Sequence, residues 1–321
     1  MNSRPDAGKG CSASTVEITL GTRGTPVVPA SPERGRGSGP RPASRPFAGE
    51  IGVADIHVMS WNIRRRTRYA LGRTADRWDV RAPRIKSLLQ SERPSLLGLQ
   101  EALPSQVDFV LSALGSAYRS VGYGRSRRGR GERCPIIFDA QRLELLCWEQ
   151  RALSARPDRP GSISWGNLLP RILVQASFRD RRTGHCVQMV NTHLDHLSSG
   201  SRRRSVHCIG QLVAQSPVPV LVTGDFNAGL DAAEMQELSR TYALLDASGR
   251  ARSSLGAAWG TLGSYRVPRT EGRKLDWILV SPGILVTAAG VNGLRYHGGW
   301  GSDHLPVQAV LRLPEQERWN D

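Results

Sequence analysis

The chain has 321 residues, of which 39% are apolar, and a formal net charge of +16. That length and composition suffice for a substantial core in one large domain or two ordinary ones; no apolar run reaches the ~18 residues a membrane-spanning helix needs, and the opening residues lack the basic-then-apolar pattern of a secretory signal. Stable membrane insertion is therefore not expected, and a cytoplasmic location is.

The charge points toward nucleic acid or another polyanion. Lysine, however, occurs only at Lys9, Lys86 and Lys274, while arginine, glycine, alanine and proline abound, as very GC-rich coding DNA would also dictate. The charge is thus shared between compositional drift and a polyanionic substrate. The cysteines, Cys11, Cys134, Cys147, Cys186 and Cys208, form no CxxC pair and no Cys/His cluster at zinc spacing. Free and mostly buried thiols are expected.

In chain order, residues 1–50 are rich in Gly, Pro, Ser and Arg, and Pro26, Pro29, Pro32, Pro40, Pro42 and Pro46 prevent any sustained helix. A disordered tail is expected there, with residues 51–321 as one catalytic domain. Order begins with a strand over Ala54–Trp61, whose one face carries Ile56, Val58 and Ser60 and delivers Asn62 at its end. Helical spacing follows over Arg84–Ser91, then a short buried strand over Ser95–Glu101 with Leu97, Leu99 and Glu101 on one side, then helical spacing over Val107–Leu114. The middle reads as strands at Pro135–Phe138, Leu143–Trp148, Arg171–Phe178 and Val187–Thr192. In the last of these, Val187 and Met189 share a face with Asn191, His193 and Asp195 if the extended backbone continues. A helix over about Arg203–Gln215 precedes the apolar strand Val218–Thr223, whose odd-numbered face runs Leu221, Thr223, Asp225, Asn227. Strands at Leu275–Val280, Ile284–Val291 and Leu305–Leu313 close the chain. Strands with helices interspersed and no long linker argue for one α/β domain, with a sheet order that this pattern does not reveal.

Six short polar motifs stand at or just beyond the ends of these apolar runs: Ser60-Trp61-Asn62, Gln100-Glu101, Asn191-Thr192-His193-Leu194-Asp195-His196, Gly224-Asp225-Phe226-Asn227, Leu275-Asp276-Trp277 and Gly301-Ser302-Asp303-His304-Leu305-Pro306-Val307. Strands hold backbone geometry tightly while the residues past their ends meet a ligand, so carboxylates, imidazoles and carboxamides gathered there suggest metal-assisted attack on phosphate. A hard cation such as Mg²⁺ takes oxygen ligands and binds through one or two carboxylates plus substrate phosphate. Glu101, at a strand end, suits that role, with Asn62 and Asp303 as neighbouring oxygen ligands directly or through water. Asp225 and Asn227 could take a proton from water and hold that water or a phosphate oxygen; an Asx turn is the alternative. Asp276 could fix the tautomer of His304 and raise its basicity, so that a protonated His304 neutralises charge developing on phosphorus, with His193 doing likewise from another side. The arginine runs at Arg64-Arg65-Arg66, Arg125–Arg133 and Arg202-Arg203-Arg204 are either phosphate contacts or solvated faces.

In this order and spacing the motifs resemble the endonuclease/exonuclease/phosphatase superfamily, the DNase I-like metal-dependent phosphohydrolases, over residues from about 54 to 313. The resemblance implies a four-layer α/β/β/α sandwich of two packed mixed sheets with the site at one end. It implies Mg²⁺ or Mn²⁺ as cofactor; the leading reading is cleavage of a phosphodiester or phosphomonoester with nucleic acid the favoured substrate, and no protein partner is implied. Carried onto this chain, it makes Asn62 the first-strand Asn near the metal, Glu101 the principal metal ligand, Asp225 and Asn227 the water-activating pair, and Asp276, Asp303 and His304 the closing set, with His304 on the scissile phosphate. His193 is similar to the phosphate-contacting His of the phosphatase and deadenylase-like branches, with Asn191 and Asp195 beside it. Glu132, in Gly131-Glu132-Arg133-Cys134-Pro135-Ile136, falls near the site, and Arg64 against substrate phosphate. Arg64 also departs from the pattern of repair-type abasic-site endonucleases, which carry an acidic residue two after the first Asn, and this moves the expected activity away from DNA repair. Substrate stays open, because the same site serves nucleic acids, phosphoinositides and sphingomyelin. The competing readings are hydrolysis of a lipid or inositol-phosphate head group, for which no apolar membrane-inserting loop is evident, and a silent polyanion-binding module, which would have no need to keep Glu101, Asp225, Asp303 and His304.

Overall fold

A computed structural model describes residues 46–67 and 74–315. The expected disordered tail lies outside the described residues up to position 45. Residues 46–50, counted with the tail on composition, are anchored: the amides of Phe47 and Ala48 donate to the Glu92 carboxylate at 2.8 and 3.3 Å. A buried carboxylate needs such donors, and composition does not reveal which amides supply them.

The strands are β1 (Asp55–Asn62), β2 (Leu96–Gln100), β3 (Tyr118–Val121), β4 (Ile136–Asp139), β5 (Leu143–Ala152), β6 (Ile172–Asp180), β7 (Cys186–His193), β8 (Val220–Asp225), β9 (Leu245–Asp246), β10 (Ser253–Leu255), β11 (Asp276–Val280), β12 (Leu285–Val291) and β13 (Val307–Arg312). The helices are α1 (Trp78–Glu92), α2 (Pro104–Leu114), α3 (Ser199–Ala214), α4 (Ala233–Tyr242) and the single turn α5 (Ala247–Arg250). One mixed sheet has the order β10-β12-β13-β1-β2-β4-β3 and the other β5-β6-β7-β8-β11-β9.

The two sheets face each other and helices cover their outer faces, giving the four-layer α/β/β/α sandwich. Three separate cores mark the layers. Ile56, Val58, Leu96, Val174, Phe178, Met189, Leu221 and Ile278 fill the space between the sheets. Trp61, Leu97 and Leu99 pack under α1 and α2 with Ile85, Leu89, Val107 and Val110. Val190, Val222 and Trp277 pack under α3 and α4 with Val206, Ile209, Met235 and Leu238. Alternation along β1 follows from its pleat: Ile56 and Val58 look into the sandwich while Met59 and Trp61 look toward the helices. Because β2, β8 and β11 are buried on both faces, they read as near-continuous apolar runs, whereas β1, equally buried, carries polar residues among its apolar ones.

Helix boundaries moved outward from their sequence expectations for local reasons. α1 begins at Trp78 and runs through Pro83, a residue type that a helix interior ordinarily excludes. α2 begins on Pro104, which is pre-organised for a first helical turn. α3 begins earlier because the Ser198 hydroxyl accepts from Ser201 N at 3.1 Å and caps the helix. Cys134 and Cys186 are buried as expected, whereas Cys147 is exposed on the edge strand β5, and Cys11 lies outside the described residues.

Candidate active site

The register of the two sheets brings the polar motifs together. β1 and β2 run parallel with Asn62 opposite Gln100. β7 and β8 run parallel with His193 opposite Asp225, and β11 runs against β8 with Asp276 opposite Asp225. β13 runs against β1, so the loop before it, carrying Asp303 and His304, returns to the end of β1. Ser302 Oγ donates to Asn62 O at 2.6 Å and Trp61 Nε1 donates to His304 O at 3.0 Å, fixing that return.

Asp225 Oδ2 is the focus. Asn62 Nδ2 donates to it at 3.1 Å, His193 Nε2 lies 3.6 Å away and His304 Nε2 4.0 Å away. The same Asn62 nitrogen donates to Glu101 Oε1 at 3.1 Å, so a single amide bridges two carboxylates. Asn62 Oδ1 accepts from Arg64 N at 2.9 Å, which holds the amide with its nitrogen toward the carboxylates. In this orientation Asn62 is a donor between two acids.

Glu101 reaches its place by leaving the strand. β2 ends at Gln100 and Glu101 has φ 59, so it does not continue the face of Leu97 and Leu99. The left-handed turn swings its carboxylate to Asn62 and to Arg65 N at 3.1 Å. Asn227, at φ 51, leaves the extended path too, and its amide donates to Asp225 Oδ1 at 3.0 Å while its Nδ2 donates to Leu194 O at 3.1 Å. The Asx turn that competed with a catalytic reading is present, and it is what fixes the Asp225 carboxylate.

His304 Nδ1 lies 2.7 Å from Asp276 Oδ2. Burial disfavours a charge on this ring, but the Asp276 carboxylate and its hydrogen bond, with Asp225 and Asp303 nearby, outweigh burial and raise the imidazole to about 10. His304 is therefore cationic at neutral pH. Asp276 is oriented in turn by its own amide and that of Leu275 donating to Thr261 Oγ1. His193 differs. Burial, helped by the Arg171 and Arg125 charges, outweighs the attraction of Asp225 and Glu101 and lowers its pKa to about 4. His193 is thus held toward its neutral form near pH 7, in which it offers a hydrogen bond.

Burial opposes charge on Glu101, yet the His193 ring, the Arg65 amide, Asn62 and the Arg64 charge together bring it down to about 2. The ring of His193 contributes to that lowering only where it is protonated. Asp225 is pushed upward by burial and by Asp276.

Other expected residues serve at a distance. Asn191 is fully buried between the sheets, with Nδ2 donating to Leu99 O and Pro135 O and Oδ1 accepting from Gln100 and Thr223. It staples sheet to sheet, and both of its side-chain polar atoms are engaged in doing so. Asp195 lies past the end of β7, accepts from Leu197 N and Ser198 N at 2.9 and 2.8 Å, and pairs with Arg171 Nε at 3.2 Å. Glu132 sits at the mouth between Arg65 and Arg125, at 2.9 and 3.0 Å. Arg64 Nε lies 3.5 Å from Asp76 and 3.8 Å from Asp303, a guanidinium among acids.

A model of the Endonuclease/Exonuclease/phosphatase family matches residues 59–304, a span that contains Asn62, Glu101, His193, Asp225, Asp276 and His304. The chain belongs to this family. Among solved structures, a family protein from Bacteroides vulgatus is 27% identical over 81% of this chain and 99% of its own, with a TM-score of 0.75. A mannosyl-6-phosphatase from Bacteroides thetaiotaomicron is 27% identical over 80% of this chain and 99% of its own, with a TM-score of 0.73. The human Nocturnin catalytic domain, at 20% identity over 84% of this chain and 99% of its own and a TM-score of 0.61, shares the fold. Sequence comparison with curated proteins finds no significant match.

As a member of the endonuclease/exonuclease/phosphatase family, the chain is a hydrolase. Its supporting residues include two arginines that no motif reveals. Arg81, fully buried on α1, donates to Ile63 O at 2.8 Å, Arg64 O at 3.2 Å and Gly301 O at 3.4 Å, tying the segment after β1 to the loop before His304. Arg171, beside β6, lines a small cavity with Glu101 and His193. Neither stands out among so many arginines in sequence; what marks them is burial. Among the described residues no helix is long and apolar enough to cross a membrane.

The donor set fits a hard divalent cation. Asp225 and Asp276 face the His304 imidazolium, Asn62 links Asp225 to the Glu101 carboxylate, and Asp276 Oδ1 is buried without a hydrogen-bond partner. Asp225, Asp276 and His304 also offer ligand-type atoms within 4.8 Å of one another, although the Asp276–His304 hydrogen bond engages two of these groups with each other.

Proposed function

We propose that this chain is a divalent-metal-dependent phosphohydrolase that cleaves phosphodiester bonds, with a nucleic-acid strand as the favoured substrate. The observation that carries the reading is the convergence of Asn62, His193 and the Asp276–His304 pair on the one carboxylate oxygen of Asp225. Mg²⁺, or Mn²⁺ in its place, held by Glu101 with Asp303 on the adjoining loop, would lend positive charge to a phosphate oxygen. Arg64 feels the charge of both carboxylates, which supports their lying on one side of the site. Asp225, raised by its surroundings, accepts the proton of the attacking water as the new P–O bond forms and the bond to the leaving oxygen breaks. Asn227 orients that water. Cationic His304, fixed by Asp276, meets the charge that develops on the phosphoryl oxygens, and neutral His193 adds a hydrogen bond.

Arg65, Arg125, Arg133 and Arg171 around the mouth support a polyanionic substrate. A second reading, hydrolysis of a sugar phosphomonoester, is favoured by the 27% identity to the mannosyl-6-phosphatase. The test is a panel of single-stranded DNA, RNA, duplex DNA, inositol phosphates and hexose 6-phosphates, each with Mg²⁺ and with EDTA. Turnover of a strand at a kcat/KM at least about tenfold above any monoester is expected. The reverse order would replace the first reading with the second, and EDTA-insensitive turnover would remove the metal from both.

A further inference from the structure

Arg171 is 3% exposed and two of its three nitrogens are engaged: Nε donates to Asp195 Oδ2 at 3.2 Å and Nη2 lies 3.0 Å from His196 Nδ1. The third, Nη1, is buried with no hydrogen-bond partner. A cationic donor left unpaired inside a protein is costly, so such a group calls for a partner supplied from elsewhere. The side chain lines the small cavity that opens beside Glu101 and His193; Arg133, whose Nε is also buried and without a partner, lines the same cavity. Arg125 and Glu132, paired with each other at 3.0 Å, form its outer wall.

The surroundings hold Arg171 rigidly. Asp195 is fixed by the amides of Leu197 and Ser198, and Arg171 lies one residue before β6, whose Leu173 pairs with Thr192 at the end of β7. The fork is thereby held beside His193 with one N–H pair unspent. We infer that Arg171 Nη1 binds a non-bridging oxygen of the phosphoryl group under attack, that Arg133 Nε shares that oxygen or its neighbour, and that Asp195 and His196 are positioning residues for this clamp. This gives the Asp-His end of the Asn191–His196 motif a purpose that neither residue has by touching the ligand. The inference rests on the phosphohydrolase reading above and adds a contact to it.

The test uses the full chain with Mg²⁺. Arg171→Lys keeps a charge but not the fork, and Arg171→Ala removes both. Loss of one preorganised donor to a developing anion lowers kcat by about a hundredfold or more, and the inhibition constant of inorganic phosphate should rise about tenfold or more with it. Added guanidinium at millimolar concentration should restore part of the Arg171→Ala rate, which a purely structural role would not allow. Asp195→Asn should lower kcat with a smaller change in KM. Folded Arg171 variants with kcat and phosphate inhibition within threefold of the parent would overturn the inference. Should the variants not fold, crystals of the unaltered protein grown with Mg²⁺ and inorganic phosphate decide: a phosphate oxygen within hydrogen-bond reach of Nη1 upholds the clamp, and a water alone at Nη1 with phosphate bound elsewhere refutes it. Full activity in Glu101→Ala would instead bring down the underlying reading, whereas an inert Glu101→Ala beside fully active Arg171 variants would remove the clamp alone.

Discussion

Asp276 decides the charge of His304, and with it what the site can stabilise. In Asp276→Asn the carboxylate that outweighs burial is gone, so the buried ring loses its proton at much lower pH. Activity carried by the protonated form disappears as pH rises through the pKa. Asp276→Asn should therefore lose about a hundredfold in kcat at pH 8, with the descending limb of its pH–rate profile moved from the alkaline range down toward neutrality. A variant profile that superimposes on the parent's above pH 7 would rule this out. His57 makes a separate prediction about stability. Burial lowers it from 6.5 to about 4 in the fold, its Nε2 lying 2.9 Å from Gln308. Between those values the unfolded chain binds a proton that the folded chain does not, so the contribution of this residue is present above pH 6.5 and is lost as pH falls toward 4. The whole shift is worth about 3 kcal/mol, and His193 adds in the same direction. Urea midpoints measured at pH 7 and pH 5 should differ less in His57→Gln than in the parent; an unchanged difference would refute the assignment.

At the scale of elements, the inner strands β2, β8 and β11 were legible because burial on both faces leaves little but apolar residues, β1 was legible by the face that carries Ile56 and Val58, and their polar ends stood out by contrast. Asn62, His193, Asp225 and His304 were found in this way. Glu101 and Asn227 stand at such ends too but leave the strand faces expected of them, since a single left-handed residue at each strand end redirects the side chain and leaves no periodic trace. The sheet-to-sheet role of Asn191 was not legible, because a buried carboxamide that joins two sheets looks, in sequence, like one awaiting a ligand. The short pieces β3, β9 and β10 and the helix α4 carry too few patterned residues to declare themselves. Gly98 shows how closely the layers meet: a Cβ there would collide with Thr223 Oγ1 and Asn191 Oδ1 across the sandwich. Gly98→Ala should destabilise by about 2 kcal/mol and lower kcat by shifting the end of β2 that carries Glu101. Gly229→Ala, where a Cβ meets nothing, serves as the control in the same denaturation series, and equal stability of the two variants would contradict this account of the packing.

At the scale of the molecule, the site exists because of sheet order, which no local pattern encodes. Parallel pairing of β1 with β2 and of β7 with β8, with β11 and β13 returning antiparallel, sends six separate motifs to one end of the sandwich. The family resemblance supplied the architecture that strand patterning lacked, while the residue-level chemistry came from the chain itself. The net charge of +16 contributes little to that chemistry, since Arg64 and Arg125 near the site are already paired with acids; it bears on which substrates approach. The central claim is that Glu101 and Asp225 carry metal-assisted hydrolysis of a phosphoester. The most direct measurement is the rate of bis(4-nitrophenyl) phosphate hydrolysis by purified protein with Mg²⁺, with EDTA, and in the variants Glu101→Gln and Asp225→Asn, each checked for folding by thermal denaturation. Turnover that EDTA abolishes and that falls by about a thousandfold in each folded variant is the predicted result; EDTA-insensitive turnover, or folded variants within tenfold of the parent, would contradict it.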